Sequence, residues 1–260
     1  GDHTAALVYL EKAIETNPTY EAYCEMARCY RALGQDQKGI EPLKKAISID
    51  PGVHRAHYNL GLLYVVSGRY QEAIEAFNEV IRIDPNFALA HNNLGNAYLN
   101  LGLYEEATQA AKQAIRVEPN DVVAHCILGF AYSITGLHEE AIRTLKQAIA
   151  IDPSFYLAYY KLGNAYVRLT LYEEAIEAYK EVIRIQPTYA AAHGALAKAY
   201  GDQGRYTEAV ETYKQAINID PNNPMYYSGL GVGYGNLGRW NEAIDPFGEA
   251  IRMDPKYIAA

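Results

Sequence analysis

The chain has 260 residues, of which 50% are hydrophobic and 21% are charged, so it is long enough and apolar enough to bury a substantial core and is not disordered. Its formal net charge of -8 at pH 7 leaves no basic excess for nucleic acid or for anionic membrane surfaces. No apolar run approaches the roughly 18 residues of a membrane span, and the amino terminus lacks the regions of a signal peptide.

The predicted elements are short helices that follow one another in pairs. Residues 1–20 are predicted to form a partial repeat that has only the second helix of a pair. In each later unit, apolar residues recur at three- and four-residue spacings in two blocks, with a Gly-containing turn between them and a Pro-containing turn after them, which predicts a helical hairpin. The seven predicted hairpins are residues 21–53, 54–87, 88–121, 122–155, 156–189, 190–223 and 224–257, and residues 258–260 would begin a further element.

Three residue types keep one period along the chain. Prolines are separated by 33 residues once and then by 34 residues six times, at Pro18, Pro51, Pro85, Pro119, Pro153, Pro187, Pro221 and Pro255. Tyrosines keep the same spacing from Tyr30 to Tyr234, and alanines from Ala73 to Ala243. Because chance does not produce three such registers, the spacing predicts an array of 34-residue repeats.

The unit that begins at His54 carries a motif at fixed positions, namely Leu60, Gly61, Tyr64, Ala73, Phe77 and Pro85. This motif resembles the tetratricopeptide repeat (TPR) signature of bacterial-type solenoids and of O-linked N-acetylglucosamine transferase, and the likeness covers essentially the whole chain. The resemblance implies an all-α, right-handed superhelical solenoid of antiparallel helix pairs. A two-helix unit cannot bury its apolar faces alone, so stacked units are expected to form one continuous core. The glycine of the motif is expected to let the paired helices approach closely.

Function is expected on the side of each first helix that packing leaves open. With the repeat numbered so that Tyr64 and its equivalents are position 11, positions 4, 7, 8 and 11 form the packing face. Positions 2, 5, 6, 9, 12 and 13 point the opposite way, and we call their residues the inner face. The resemblance implies that this side lines a concave groove, as it does in TPR proteins.

The inner face is apolar in several repeats, although a merely solvated face would be polar. Its apolar residues include Tyr58, Leu62, Val65, Val66, Leu89, Val123, Ile127 and Phe130. An apolar surface of this kind predicts contact with a partner, either an extended peptide or a helix. The alternative is that some of these side chains pack between successive first helices.

Asparagines lie between these apolar residues. They are Asn59, Asn92, Asn93, Asn96 and, two repeats later, Asn164. Because an amide both donates and accepts, such a row can bind the backbone of an extended peptide whatever its sequence. Asn59 and Asn93 match the asparagine ladder of the transferase superhelix, which Ile127, Lys161, Ala195 and Gly229 interrupt. The alternative for each asparagine is a hydrated surface amide.

The charge of the inner face opposes the charge of the chain. Lys161, Arg168 and Lys198 are predicted to lie close together beside Tyr160 and Asn164, where they could receive a carboxylate. This predicts an acidic partner with apolar anchors, and solubilising charge is the alternative. The carboxylate clamp of chaperone-binding TPR domains is not present, because only one of its asparagines, at Asn96, and one of its cations, at Lys161, are matched.

Neither metal binding nor catalysis is predicted. His57, His91, His125 and His193 recur at position 4, but neighbouring helices lie about 8–10 Å apart, too far for ligands of one zinc ion. No nucleophile, phosphate-binding or zinc-protease motif occurs, so we predict no enzyme and no cofactor. The three cysteines do not form a C-x-x-C pattern, which favours a reducing compartment and a cytoplasmic location.

The sequence therefore predicts a protein–protein interaction scaffold that binds a peptide or helix of a partner in its groove. Two alternatives stay open. The first is self-assembly, either end to end or through a terminus that enters the groove of another copy. The second is a substrate-targeting arm of a larger enzyme. Nucleic acid and membrane insertion are not expected in any of the three.

Overall fold

The computed structural model describes residues 2–255, and within that range it contains fifteen α-helices and no strand. The predicted further element at residues 258–260 lies outside the described residues. The helices are α1 (Asp2–Thr16), α2 (Tyr20–Ala32), α3 (Asp36–Ile49), α4 (His54–Val66), α5 (Tyr70–Ile83), α6 (Ala88–Asn100), α7 (Tyr104–Val117), α8 (Val122–Ile134), α9 (His138–Ile151), α10 (Tyr156–Arg168), α11 (Tyr172–Ile185), α12 (Ala190–Asp202), α13 (Tyr206–Ile219), α14 (Pro224–Asn236) and α15 (Trp240–Met253).

The helices alternate between a first helix of 13 residues and a second helix of 14 residues from α2 onward. Within each unit, a first helix packs on its own second helix, as α4 packs on α5, and a second helix packs on the next first helix, as α5 packs on α6. The predicted helical repeat is thus confirmed. The chain divides into two compact units, one ending at Ala131 and one beginning at Tyr132, and we describe each by itself.

The turn inside each pair requires a left-handed backbone. In the α4–α5 turn Gly68 has φ 70°, and the amides of Gly68 and Arg69 donate to the carbonyls of Val65 (3.0 Å) and Tyr64 (2.8 Å). These bonds satisfy carbonyls that the end of α4 would otherwise leave without partners. The equivalent glycines have φ between 67° and 85°, whereas Thr170 takes this conformation at φ 58° between α10 and α11.

Thr170 is therefore under backbone strain that glycine would not bear. We expect Thr170→Gly to raise the free energy of unfolding by about 0.5–1 kcal/mol, because relief of the left-handed strain exceeds the extra flexibility of glycine in the unfolded chain. Urea denaturation would measure the change. The reverse substitution Gly204→Thr, at the same register one repeat later, is expected to lower stability by a similar amount. A loss of stability in Thr170→Gly would contradict the assignment of strain.

The turns between repeats are held by side chains that recur with the period. Asp84 Oδ1 accepts from the amide of Asn86 (3.1 Å), which closes an Asx turn around Pro85. The Nε2 atom of His91 then donates to the carbonyl of Pro85 (3.0 Å). Bonds of the same kind join His57 to Pro51, His125 to Pro119 and His193 to Pro187, at 2.9–3.2 Å. The recurring histidines thus fasten the turn to the following helix.

Each core places large side chains of the second helices against small residues of the first. Phe77 and Tyr179 occupy the same register and are 0% and 2% exposed. Their rings lie so close to Gly61 and Gly163 that a Cβ atom at either glycine would fall 2.5 Å from the ring. The paired helices can therefore approach closely only because the motif carries glycine at this position.

Candidate functional site

The inner face of the first unit is organised around Tyr58. Its ring meets Phe87 edge-on at 5.1 Å between centroids and lies tilted against Phe77 at 5.9 Å. Its hydroxyl oxygen accepts from Asn93 Nδ2 (3.1 Å), and burial raises the pKa of this phenol. Tyr58 is therefore half-buried and rigidly held, as is typical of an aromatic contact residue at an interface.

The asparagines of this unit differ in what they can offer a ligand. Asn93 also donates to the carbonyl of Leu89 (2.8 Å), so both of its amide hydrogens are used and its carbonyl oxygen remains as an acceptor. Asn59 and Asn96 are half-buried at the surface. Asn92 is only 4% exposed and donates to the carboxylate of Asp121, which precedes α8. Asn92 therefore joins two elements of the fold and does not line an open surface.

The apolar residues predicted for this face also separate into two groups. Leu89 is 52% exposed, whereas Leu62, Val123 and Phe130 are half-buried. Ile127 is 4% exposed, and a Cβ atom added to Gly95 would lie 3.2 Å from the Cγ2 atom of Ile127. Ile127 thus packs between α6 and α8, which is the alternative that the sequence left open. We leave Asn92 and Ile127 out of the candidate contact surface for this reason.

In the second unit, Tyr160 occupies the position that Tyr58 has in the first. Its ring meets Tyr189 edge-on at 5.3 Å and lies tilted against Tyr179 at 5.9 Å. The hydroxyl of Tyr179 donates to Asn164 Oδ1 (2.7 Å), so the amide oxygen of Asn164 is engaged inside the unit. Burial raises the pKa of the Tyr160 phenol, and a hydrogen bond with Asn164 opposes that rise.

The cations predicted to surround Tyr160 have different environments. Lys198 Nζ lies 2.9 Å from Asp202 Oδ2, one helical turn away, so its charge is compensated within α12. Lys161 is half-buried and Arg168 is exposed. Of the three, Lys198 lines a groove together with Tyr160, and Lys161 and Arg168 lie outside that lining. The local excess of positive charge is therefore smaller than the sequence suggested.

This groove lies along α12, α13 and α14 and has a volume of about 820 Å³. Four tyrosines line it, namely Tyr160, Tyr206, Tyr213 and Tyr226. Met225 and Val232 of α14 add apolar surface that is 58% and 46% exposed. Lys198 with Asp202, and the amides of Asn223 and Asn236, supply polar groups. Sites for small ligands and side chains have this composition, with apolar and aromatic walls and a few polar groups.

Sequence reasoning missed most of this groove, although its signal was visible. Inner-face positions that hold bulky or polar side chains in earlier repeats hold Gly194, Ala195 and Gly201 in α12 and Ser228 and Gly229 in α14. Tyr226 occupies the space beside Gly194 and Tyr213 the space beside Gly229, whereas nothing lies within 4 Å of a Cβ atom at Gly201. The groove is therefore open where α12 approaches its end.

Other classes of site are not visible in the described part of the chain. Between residues 2 and 255, no group of three or more histidine, cysteine or acidic side chains is arranged to hold a metal ion. The structure shows no disulfide bond among Cys24, Cys29 and Cys126. Among the described helices, none is both long enough and apolar enough to cross a membrane.

Family models agree with the repeat geometry. A model of the TPR repeat matches residues 63–102, 134–169, 172–204 and 198–238, which together exceed half of the chain. Three further tetratricopeptide repeat models match residues 20–52, 43–75 and 88–121. The chain belongs to the tetratricopeptide repeat family. None of the curated proteins compared with this TPR chain matches it.

Solved structures place the chain among TPR proteins. MamA is 30% identical with a TM-score of 0.57, over 63% of this chain and 95% of MamA. YrrB, described as a TPR protein with an unusual peptide-binding site, is 26% identical with a TM-score of 0.58, over 70% of this chain and 95% of YrrB. A chain of the APC/C hetero-tetramer Cut9-Hcn1 is 18% identical with a TM-score of 0.74, and this TPR chain spans 98% of its own length and 51% of that chain.

The Cut9-Hcn1 likeness concerns the fold alone, because the identity is low. The family models and the structural relatives together confirm the all-α TPR solenoid that the repeat spacing predicted. They also support a protein–protein interaction scaffold as the general function of this TPR chain.

Proposed function

We propose that the chain is a non-enzymatic scaffold that binds a peptide or helix of a partner protein, and that the groove along α12 and α14 receives an apolar side chain of that ligand. The groove carries the proposal because its volume of about 820 Å³ lies in the usual range of binding sites, about 300–1,000 Å³. Tyrosine-rich walls favour contact with another polypeptide, because tyrosine combines a large apolar surface with a polar group.

The relatives support the same class of ligand. YrrB is described as having a peptide-binding site, and it resembles this chain over most of its own length. In the first unit, Tyr58, Leu62, Leu89, Val123 and Phe130 form a second candidate contact surface. We also propose an acidic partner and a cytoplasmic location, and we retain the division into seven repeats as part of the proposal.

A test can use the open space beside Gly201. Gly201→Leu places a bulky side chain at the groove, and because a Cβ atom there meets nothing within 4 Å, the helix should tolerate it. The probe is a library of random 12-residue peptides displayed on phage and selected against the unmodified chain. We expect selected peptides to bind the Gly201→Leu variant at least about tenfold more weakly, a loss of about 1.4 kcal/mol, as measured by fluorescence anisotropy.

The chain offers a matched control for this substitution. Gly248 is also a helical glycine with nothing within 4 Å of a Cβ atom, but it lies on α15 and does not line the groove. Gly248→Leu should leave peptide affinity unchanged, and circular dichroism should show the same helix content in both variants. Equal affinity of the Gly201→Leu variant and the unmodified chain, or the absence of any selected peptide, would rule out the groove.

Self-assembly is the second candidate, and one observation favours it. Among residues 2–255, the apolar side chains of Trp240, Ile244 and Ile251 of α15 are 69%, 65% and 53% exposed. At the register of Ile244, Ile176 and Val210 are 0% and 1% exposed, because a following first helix covers them. Light scattering over a range of concentrations tests this candidate, and a monomer at every concentration would exclude it.

A further inference from the structure

A second cavity lies in the first unit, between α2 and α4, and has a volume of about 300 Å³. Leu43 and Leu63 contribute apolar surface that is almost fully buried, and the half-buried thiol of Cys24 lies beside them. Asn59, an inner-face residue, lines the same cavity. The cavity is large enough for one side chain and adjoins the surface on which a peptide is expected to lie.

Positive charge dominates among the charged residues that line this cavity. They are Glu21, Glu25, Arg28, Arg31 and Arg55, which carry one net positive charge in a chain whose net charge is -8. Glu25 and Arg28 form an ion pair with each other. Among residues 2–255, neither Arg31 nor Arg55 forms an ion pair, so both guanidinium groups can serve a ligand.

The two arginines also act on groups in and beside the cavity. Burial raises the pKa of the Cys24 thiol, and a hydrogen bond with Tyr20 and then the positive charge of Arg55 oppose that rise. Burial likewise raises the pKa of Tyr58, with Asn93 and then the charge of Arg31 acting in the opposite direction. A single negative charge suits this environment better than a doubly charged phosphate, because Glu21 and Glu25 would repel the second charge.

We propose that this cavity binds the side chain of a glutamate within a partner peptide. This inference rests on the proposed function. The methylene groups of the glutamate would contact Leu43 and Leu63, and its carboxylate would accept charge-assisted hydrogen bonds from Arg31 and Arg55. Asn59 would bond to the peptide backbone beside it. A glutamate within the peptide fits better than a terminal carboxylate, because α4 packs beside α6 and the inner face continues past the cavity.

Cys24 provides a direct measure of occupancy. It is half-buried in the cavity wall, whereas Cys29 and Cys126 are only 4% and 5% exposed, so alkylation should occur first at Cys24. The probe is hexaglutamate with an acetylated amino terminus and an amidated carboxyl terminus, at low ionic strength. At a concentration of about ten times its Kd, we expect it to slow the reaction of Cys24 with iodoacetamide about tenfold, as followed by mass spectrometry.

Variants and control peptides make this test specific. Arg31→Gln and Arg55→Gln should each reduce the protection, whereas Arg82→Gln removes the same charge from α5, outside the cavity, and should not. Hexaglutamine with the same blocked ends should give no protection. Circular dichroism would show that all variants keep their helix content.

Several outcomes would overturn the inference. These are a Cys24 reaction rate unchanged by hexaglutamate, equal protection by hexaglutamine, or full protection in the Arg55→Gln variant. Protection by hexaglutamine with a free carboxyl terminus, and not by blocked hexaglutamate, would assign the cavity to a chain terminus instead. Gly201 and Cys24 lie in different units. Peptide binding by the Gly201→Leu variant and protection of Cys24 from alkylation are therefore two independent measurements. Failure of one proposal is thus distinguishable from failure of the other.

Discussion

Replacement of Phe77 by alanine is expected to lower the free energy of unfolding by about 3–5 kcal/mol. The Phe77 ring is 0% exposed and packs against Tyr58 and Gly61, so the substitution removes apolar contacts and leaves a cavity that close-packed neighbours cannot fill. Urea denaturation followed by circular dichroism would measure the loss. Because repeat arrays unfold in segments, the effect should be greatest on the transition of the first unit.

Phe247 is the matched control for this prediction. It occupies the same register in α15, but it is only half-buried because no following helix covers that face among the described residues. Phe247→Ala should therefore lower the free energy of unfolding by clearly less than Phe77→Ala does. Equal losses for the two substitutions would show that burial of the ring between repeats does not determine its contribution to stability.

The effect of Gly61→Ala on the free energy of unfolding is expected to depend on the residue at position 77. The substitution should destabilise the chain that has Phe77 and stabilise the Phe77→Ala variant. In the unmodified chain, the added Cβ atom would lie 2.5 Å from Cε1 of the buried Phe77 ring, and we expect a loss of about 1–3 kcal/mol from overpacking. In the Phe77→Ala background the ring is gone, so alanine should stabilise α4 by up to about 1 kcal/mol through its higher helix propensity.

The four proteins of this double-mutant cycle give a coupling free energy, which we expect to be about 2–3 kcal/mol. Gly248→Ala serves as the control, because a Cβ atom at that helical glycine meets nothing within 4 Å and should only stabilise. A destabilising Gly61→Ala substitution in both backgrounds would show that its cost does not come from the ring of Phe77.

Local patterns explain how much of the fold could be predicted from the sequence. A Gly-containing turn inside each hairpin was predicted from the repeat pattern, and the structure has a positive φ at glycine in six of these turns, from Gly34 to Gly238. Glycine favours such turns because it has no Cβ atom and takes a left-handed backbone at little cost, whereas Thr170 takes the same backbone under strain. The histidines at position 4 show the limit of this reasoning, since their bonds to the proline carbonyls were not predicted.

The inner face was harder to predict because a helical wheel describes one helix at a time. Asn92 and Ile127 point away from the packing face of their own helices, yet both are buried by neighbouring elements. Lys198 was assigned to a cationic cluster, although Asp202 lies one turn away and compensates its charge. For Asn92 and Ile127 the deciding contact comes from another element, whereas the ion pair of Lys198 and Asp202 lies within α12 and is visible in the sequence spacing.

By itself, the sequence determined the repeat length, the helix pairs, the turns and the family, because each follows from residue types at fixed spacing within about 34 residues. Only the tertiary structure decided which inner-face side chains stay accessible and where the cavities lie. The reason is that an open space depends on whether a ring from another helix fills it. Tyr226 fills the space beside Gly194, while the space beside Gly201 remains open, although both residues are glycines of the same helix.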